Sequence, residues 1–326
     1  MILRRGFTKW MARRPFSIAV AVFFVMSVLV AAVAALPAAE GRKTFSSPQE
    51  AVDGLISAVR DGNDAELLAI FGPGAEDLIS SGDPVADKNG RARFLKAYGD
   101  KYSLEEESDS KTVLHVGRND YPFPIPLVRE GEVWFFNTWA GLEEILDRRI
   151  GRNELRTIEV LNAYTDAQRE YSCVQRNDGA GPEFAQKLTS SEGKKDGLYW
   201  ETKEGEEQSP FGPLIARAAR EGYAVGPGED TSEPFHGYYF KILTAQGEHA
   251  DGGAFDYVVH GKMILGFGLV AYPAKYGASG VMTFIVNQEG VIYEKDLGED
   301  TLRAAAMTVF DPDETWKKYE GEPSEK

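Results

Sequence analysis

A histidine, an aspartate and a tyrosine in the C-terminal half of the sequence are the side chains best suited to acid–base chemistry. His236, Asp256 and Tyr276 each lie in or beside a predicted strand. If the fold brings them together, the histidine and the carboxylate can transfer protons or bind a sugar. The alternative is that His236 and His260 are turn residues at strand ends. No two of the four histidines are three or four residues apart, which excludes a helical pair of metal ligands.

Oxygen ligands at loop spacing indicate a second possible site. Asp83, Asp87 and Asn89 precede a glycine, and this order partly resembles a calcium-binding loop. The same residues are typical of an ordinary turn. Lys96 stands where such a loop would place its closing glutamate. A calcium site and a plain turn are therefore both open, and calcium is the one cofactor that the sequence suggests.

Aromatic rings are a third group that could bind a ligand. Side chains alternate along a strand, so about half of the rings in a sheet face outward. A rigid outward ring offers a large contact area at a low entropic cost, which suits a glycan ring or a protein partner. The candidate binding residues are Trp134, Trp139, Tyr238, Tyr272 and Tyr276. Packing in the core is the alternative for each of them.

The composition is that of a folded, acidic protein. The chain has 326 residues, of which 43% are hydrophobic, enough for one or two domains with buried cores. Lysine and arginine number 36 against 51 aspartate and glutamate, so the net charge is −15. A surface of this sign repels phosphate backbones, and the sequence shows no basic stripe, so nucleic-acid binding is disfavoured. The single cysteine, Cys173, excludes a disulfide framework within the chain.

The first forty residues have the order of an export signal. Basic residues, the last of them Arg14, precede an uncharged run over 15–39 that ends in small residues. Residues 16–36 are also nearly long enough to remain in the inner membrane as an anchor. The segment 3–9 resembles a twin-arginine motif, so the export route stays open. We expect a periplasmic protein, soluble after cleavage or anchored, whose membrane contact is confined to residues 1–40.

Helices followed by strands are predicted after the signal. Ser47 is suited to cap a helix that begins at Pro48, and Asn63 can cap a second helix. A further helix and three strands follow at 91–98, 112–116, 125–128 and 133–137. The last two strands form a hairpin. This order predicts an α+β domain over 44–150, similar in element order to the cone-shaped fold of nuclear transport factor.

A second α+β domain is predicted in the remaining sequence. Residues 139–171 have the apolar spacing of a long helix, and Gly151 is expected to interrupt it. We place the domain boundary there, with Asn153 as a cap for the following helix. A short helix and five strands are predicted at 214–220, 238–243, 255–259, 265–272, 281–286 and 291–294. The second domain thus covers 151–312, and a polar tail follows at 313–326.

Several segments of the sequence carry a family resemblance. They lie at 77–93, 122–131, 150–171, 237–244, 253–259, 272–277, 280–287 and 296–298. Together they resemble a bacterial exported family named domain of unknown function 2950. The resemblance covers nearly the whole chain after the signal and implies export, but no activity. The C-terminal half is more remotely similar to the globular heads of type IV pilin-like proteins, which wrap one long helix with an antiparallel sheet.

These patterns favour a binding or structural role over catalysis. No G-x-S-x-G motif occurs, and no glycine-rich segment has the strand–turn–helix setting of a phosphate loop. We therefore expect a non-enzymatic module of the cell envelope whose partner is an envelope protein or a polymer. The alternative is a hydrolase-type enzyme with its acid and base on loops, where His236, Asp256 and Tyr276 are the first candidates.

Overall fold

Side-chain caps begin the first two helices where the sequence predicts them. Helix α1 spans Pro48–Asp61, and the hydroxyl of Ser47 accepts a hydrogen bond of 3.2 Å from the amide of Glu50. Helix α2 spans Asp64–Phe71, and Asn63 caps it in the same way. Each cap satisfies an N–H group that has no partner within the helix. Both predicted helix starts are confirmed.

Seven α-helices and fifteen strands occur in the part of the chain that the computed structural model describes. That part comprises residues 41–175, 182–203, 205–206, 208–224 and 233–321. The other helices are α3 (Glu76–Ile79), α4 (Pro84–Asp100), α5 (Leu142–Gln175), α6 (Gly212–Glu221) and α7 (Thr301–Ala306). The content of helices and mostly antiparallel sheets confirms the predicted α+β class.

The N-terminal sheet has five strands. They are β1 (Tyr102–Ser108), β2 (Lys111–Val116), β3 (Tyr121–Pro122), β4 (Leu127–Glu130) and β5 (Val133–Phe136). The order is β1-β2-β4-β5, with β3 also paired to β2, and all pairs are antiparallel. The predicted hairpin of β4 and β5 is confirmed. Strand β1 was not predicted, because six of its seven residues are exposed and it therefore lacks an alternating apolar pattern.

The C-terminal part contains three sheets. Its strands are β6 (Tyr238–Leu243), β7 (Ala245–Gln246), β8 (Phe255–Asp256), β9 (Val258–Val259), β10 (Lys262–Met263), β11 (Gly268–Pro273), β12 (Met282–Asn287), β13 (Ile292–Asp296), β14 (Val309–Phe310) and β15 (Lys317–Lys318). The main sheet is antiparallel in the order β15-β13-β12-β11-β6, and α5 contacts β11 and β12. Because β15 pairs with β13, residues 317–318 of the predicted polar tail belong to this sheet.

Helix α4 corrects the prediction for residues 83–90. The sequence predicts a turn or a calcium loop there, but α4 begins at Pro84 and continues through the predicted turn. Asp83 is its cap, and the carboxylate accepts a hydrogen bond of 2.8 Å from the amide of Ala86. An aspartate followed by proline is a helix-start signal, which outweighs the turn propensity of the residues that follow.

Helix α5 corrects the prediction of a break at Gly151. The helix is continuous over 34 residues, and Asn153 lies inside it rather than at a cap. Two separate hydrophobic clusters flank the predicted boundary, and α5 contributes Ile145 to the first and Leu161 and Tyr164 to the second. Residues 41–326 form one compact unit. The division into domains over 44–150 and 151–312 stays a prediction.

Gly151 offers a direct test of this continuity. A Cβ atom built on Gly151 meets no other atom within 4 Å, and the residue is exposed. Gly151→Ala should therefore raise the free energy of unfolding by about 0.5–1 kcal/mol, since alanine loses less backbone entropy in a helix. Urea denaturation measures the change. A loss of stability would show that the helix bends at this residue in solution.

The predicted signal or anchor over 1–40 lies outside the described residues. None of the helices in the described ranges combines the length and the apolar character needed to cross a bilayer.

Candidate functional site

His236 is a buried turn residue with a partner on each ring nitrogen. It has a φ of 52°, and its side chain is 3% exposed. The guanidinium of Arg156 donates to Nδ1 at 2.9 Å, so the ring proton is on Nε2. Nε2 lies 3.2 Å from a carboxylate oxygen of Glu221 and donates to it. The turn interpretation of His236 describes this geometry, and His260, with a φ of 51°, is also in a turn.

The surroundings of His236 keep its ring neutral. Burial, and then the charges of Arg156 and Arg217, lower the pKa of His236 to about 3, although the Glu221 carboxylate lies 3.2 Å from the ring. A histidine that stays neutral in the fold but becomes protonated when unfolded favours the unfolded state in acid. Its contribution to stability is complete above pH 6.5 and is lost progressively as the pH falls toward 3.

This pKa shift predicts a pH-dependent difference between wild type and His236→Asn. Asparagine tolerates a positive φ and does not titrate. The advantage of the wild type in free energy of unfolding should shrink by up to about 1.4 kcal/mol per pH unit between pH 6 and pH 4. Urea denaturation of both proteins at several pH values measures it. A difference that is constant over this range would contradict the assignment of a neutral, buried ring.

The structure does not join the three predicted acid–base residues. The hydroxyl of Tyr276 donates to Asp296 at 3.2 Å, and Asp256 is exposed on β8. Within the described residues, no hydrogen bond or ion pair links His236, Asp256 and Tyr276. Whether these three side chains lie close together depends on how the strands are arranged in the fold, and the sequence pattern does not specify that arrangement.

The predicted calcium ligands are engaged by protein groups. The carboxylate of Asp83 is fully buried and also accepts bonds from the amide of Gly237 at 2.8 Å and the hydroxyl of Tyr223 at 2.9 Å. Asp87 accepts from Ser81 N at 2.9 Å, and Asn89 donates to the carbonyl of Glu221 at 2.8 Å. No group of three metal-ligating side chains occurs in the described ranges. A calcium role for these residues stays a prediction, and the contacts supply another role, which is to join α4 to the C-terminal half.

The candidate aromatic residues other than Tyr276 have different surroundings. Tyr238 is fully buried and donates to the carbonyl of Met282 at 3.0 Å, so the prediction of an outward binding ring is corrected for this residue. Tyr272, half-buried, packs its ring 5.5 Å from that of Tyr239. Trp134 is half-buried, whereas Trp139 is 60% exposed. Among these rings, Trp139 has the exposure that a binding face requires.

A cleft of about 670 Å³ lies where α4, α5 and the residues around Tyr223 and His236 meet. We call it the arginine cleft, because seven basic and two acidic side chains are found in its described lining. The basic residues are Arg91, Arg93, Lys96, Arg149, Arg152, Arg156 and Arg220, and the acidic ones are Asp87 and Glu221. The cleft thus concentrates positive charge on a chain with a net charge of −15.

Two arginines of the cleft bind carbonyl groups at the end of a helix. The guanidinium of Arg149 donates to the carbonyl oxygens of Asp77 and Leu78 at 2.6 and 2.8 Å. Arg91 donates to the carbonyl of Ile79 at 3.0 Å. These carbonyls lie at the end of α3, where helical hydrogen bonding stops, so the two arginines cap that helix.

Arg93 and Arg152 are the cations of the cleft without a protein partner. Neither makes a hydrogen bond or an ion pair with any described residue, and both are exposed. Desolvation lowers the pKa of Arg152, and the like charges of Arg93, Arg156 and Arg149 lower it further. Repelling cations that are not paired with an acid form a ready site for an anion, since guanidinium groups bind carboxylate and phosphate in a bidentate way.

The sequence contained a signal for this cleft that our prediction missed. Arg149, Arg152 and Arg156 recur at spacings of three and four, which places them on one face of a helix. Like charges at these spacings destabilise a helix, so their presence calls for a compensating partner. The predicted break at Gly151 placed Arg149 and Arg152 on different helices, so the pattern was not recognised. Because α5 is continuous, the three arginines form a basic stripe, and the prediction that the sequence has none is corrected.

Comparison with known proteins gives one positive finding. No curated protein and no solved structure matches the chain. A family model, described as a protein of unknown function and designated DUF2950, matches residues 42–319, which include the arginine cleft and the two hydrophobic clusters to which α5 contributes. The chain therefore belongs to the DUF2950 family.

Proposed function

We propose that this chain is an exported, non-enzymatic binding protein whose ligand site is the arginine cleft. The order of basic, apolar and small residues over 1–40 supports export to the periplasm. An envelope protein or polymer stays our predicted physiological partner. The binding step itself is the recognition of an anionic group by the cleft.

One observation carries this proposal. Arg93 and Arg152 lie in the same cleft, and within the described residues neither has a carboxylate or carbonyl partner. Most of the other basic side chains there are engaged, as Arg91 and Arg149 are in capping α3. Two unpaired guanidinium groups beside further cations repel those cations. This repulsion is unfavourable unless an anion binds between them.

The contacts of His236 support binding rather than proton transfer. A general base needs a free ring nitrogen within reach of a substrate proton. In this structure Arg156 occupies Nδ1 and Glu221 occupies Nε2. The histidine therefore holds Arg156 in place at the wall of the cleft, and the loop-borne hydrolase is the less supported alternative.

Titration with inorganic phosphate tests the proposal. The double variant Arg93→Gln with Arg152→Gln should weaken phosphate affinity at least about tenfold, because each lost bond to a charged group is worth about 1.5–3 kcal/mol. Isothermal titration calorimetry at low ionic strength measures the affinity.

A matched double variant removes the same charge elsewhere. Arg118 and Arg303 are exposed and lie outside the described lining of the cleft. Arg118→Gln with Arg303→Gln should leave phosphate affinity within about twofold, since solvent screens exposed charges that do not line the cleft. Equal losses in the two double variants, or no phosphate binding by the wild type, would overturn the proposal.

A further inference from the structure

The size of the arginine cleft is our starting point for the class of its ligand. Its volume of about 670 Å³ is in the range of pockets that hold organic molecules of drug size. A phosphate or carboxylate group alone would occupy a small part of it. The remaining space must face another part of the ligand or water.

Apolar side chains form much of the remaining wall. Val59, Phe94, Phe123 and Ile145 line the cleft, are half-buried and pack against the hydrophobic cluster of the N-terminal part. The rings of Phe94 and Phe123 lie 5.6 Å apart. Water against such a surface is unfavourable by roughly 25 cal/mol per Å² of apolar area, so an apolar group is the better occupant.

The charged and the apolar side chains of the cleft differ in exposure, which indicates their depth. Arg93 and Arg152 are exposed and therefore lie at the opening. Leu67 and Phe71, which also line the cleft, are 3% and 4% exposed and form its floor. A ligand that satisfies both ends has its charge at the opening and its apolar part directed toward the floor.

From this arrangement, and resting on the proposed function, we infer that the cleft binds an acidic amphiphile: a single hydrocarbon chain with a phosphate or carboxylate head group. The head group pairs with Arg93 and Arg152, and the chain displaces water from Phe94, Phe123 and Ile145. Neither Asp87 nor Glu221 forms an ion pair with these arginines in the described residues; their carboxylates accept bonds from Ser81 and His236.

A series of alkyl phosphates tests the inference. Ethyl, butyl, hexyl and octyl phosphate, each below its micellar concentration, are titrated into the protein by calorimetry. Affinity should rise about fourfold for each added methylene until the cleft is full. The total gain from ethyl to octyl phosphate should be at least about a hundredfold, which needs only three to four of the six added methylenes to be buried. Octanol, which has the chain without the charge, should bind at least about tenfold more weakly than octyl phosphate.

Gly90 provides a matched pair of variants for the apolar part. It lines the cleft, and a Cβ atom built there meets only the Arg93 guanidinium, at 3.9 Å. Gly90→Leu should fill part of the cleft and remove most of the dependence on chain length. Because the new side chain lies beside Arg93, the quantity compared is the ratio of octyl to ethyl phosphate affinity rather than either affinity alone. Gly90→Ala, which adds one methyl group in the same helix, should bind the whole series as the wild type does.

The outcomes separate this inference from the proposed function. Equal affinities for ethyl and octyl phosphate would overturn the amphiphile and leave anion binding intact. Failure of every phosphate to bind would overturn both, and so would octyl phosphate affinity that the Arg93→Gln and Arg152→Gln double variant leaves unchanged. Octanoate, run beside octyl phosphate, identifies the preferred head group, and tighter binding of either one fits the inference.

Discussion

Asp83→Ala should lower the free energy of unfolding by about 3–5 kcal/mol. The Asp83 carboxylate is fully buried and accepts three hydrogen bonds, from the amides of Ala86 and Gly237 and the hydroxyl of Tyr223. Alanine leaves these donors without a partner in a site that excludes water, and it also removes the cap of α4. Chemical denaturation followed by circular dichroism measures the loss.

Tyr223→Phe is the matched control for Asp83. It removes one of the three donors to Asp83 and also the acceptor of a 3.2 Å hydrogen bond from the amide of His236, while it keeps the carboxylate. The loss should therefore be about 1–3 kcal/mol, smaller than for Asp83→Ala. Burial raises the pKa of Asp83, so ionisation of this carboxyl disfavours the folded state, and stability falls as the pH rises from the unfolded pKa through the folded pKa. The net value of the site therefore comes from its hydrogen bonds. A loss below about 1 kcal/mol for Asp83→Ala would show that water or a rearranged chain replaces the carboxylate.

Gly141→Ala should lower the free energy of unfolding by about 2–4 kcal/mol. Gly141 directly precedes α5, and a Cβ atom there would overlap the carbonyl group of Pro124 and the amide nitrogen of Ile125. These are backbone atoms, so relief requires a shift of the chain rather than a change of rotamer. Ile125 is fully buried, which leaves little room for that shift.

Gly151→Ala is the control for Gly141→Ala, because it makes the same substitution ten residues later with the opposite expected sign. The Gly141 residue has a φ of −141°, so strain from a left-handed backbone does not enter the comparison. Thermal unfolding of the two variants should show a lowered midpoint for the first and a raised midpoint for the second. Similar midpoints for both would contradict the close approach of Pro124 to Gly141.

Local signals in the sequence predict much of this fold. Ser47 and Asn63 cap helices as expected, since a cap bond joins residues three apart and depends on no distant contact. The turn before β13 also follows from its own residues, where Gly290 has a φ of 77°. Strand β1 and the continuity of α5 depend on packing with distant segments, so local patterns do not show them.

The candidate site could be predicted only in part. His236, Asp87 and Asn89 do line the cleft, but the sequence indicates proton transfer or metal binding for them, whereas the structure gives them hydrogen bonds to other segments. Those partners are up to 132 residues away in the chain, as for Asn89 and Glu221. A single sequence does not specify contacts at that separation. The spacing of the arginines in α5, in contrast, is a local pattern that predicts a basic helix face.

The unbroken course of α5 limits how this protein can be divided or recombined. A helix of 34 residues is about 50 Å long, and it donates side chains to the hydrophobic clusters on both sides of residue 150. A gene fragment ending at that point would separate Arg149 from Arg152 and Arg156. Neither half would then carry the whole arginine cleft, so exchange of modules between relatives is expected to preserve the two halves as one inherited block.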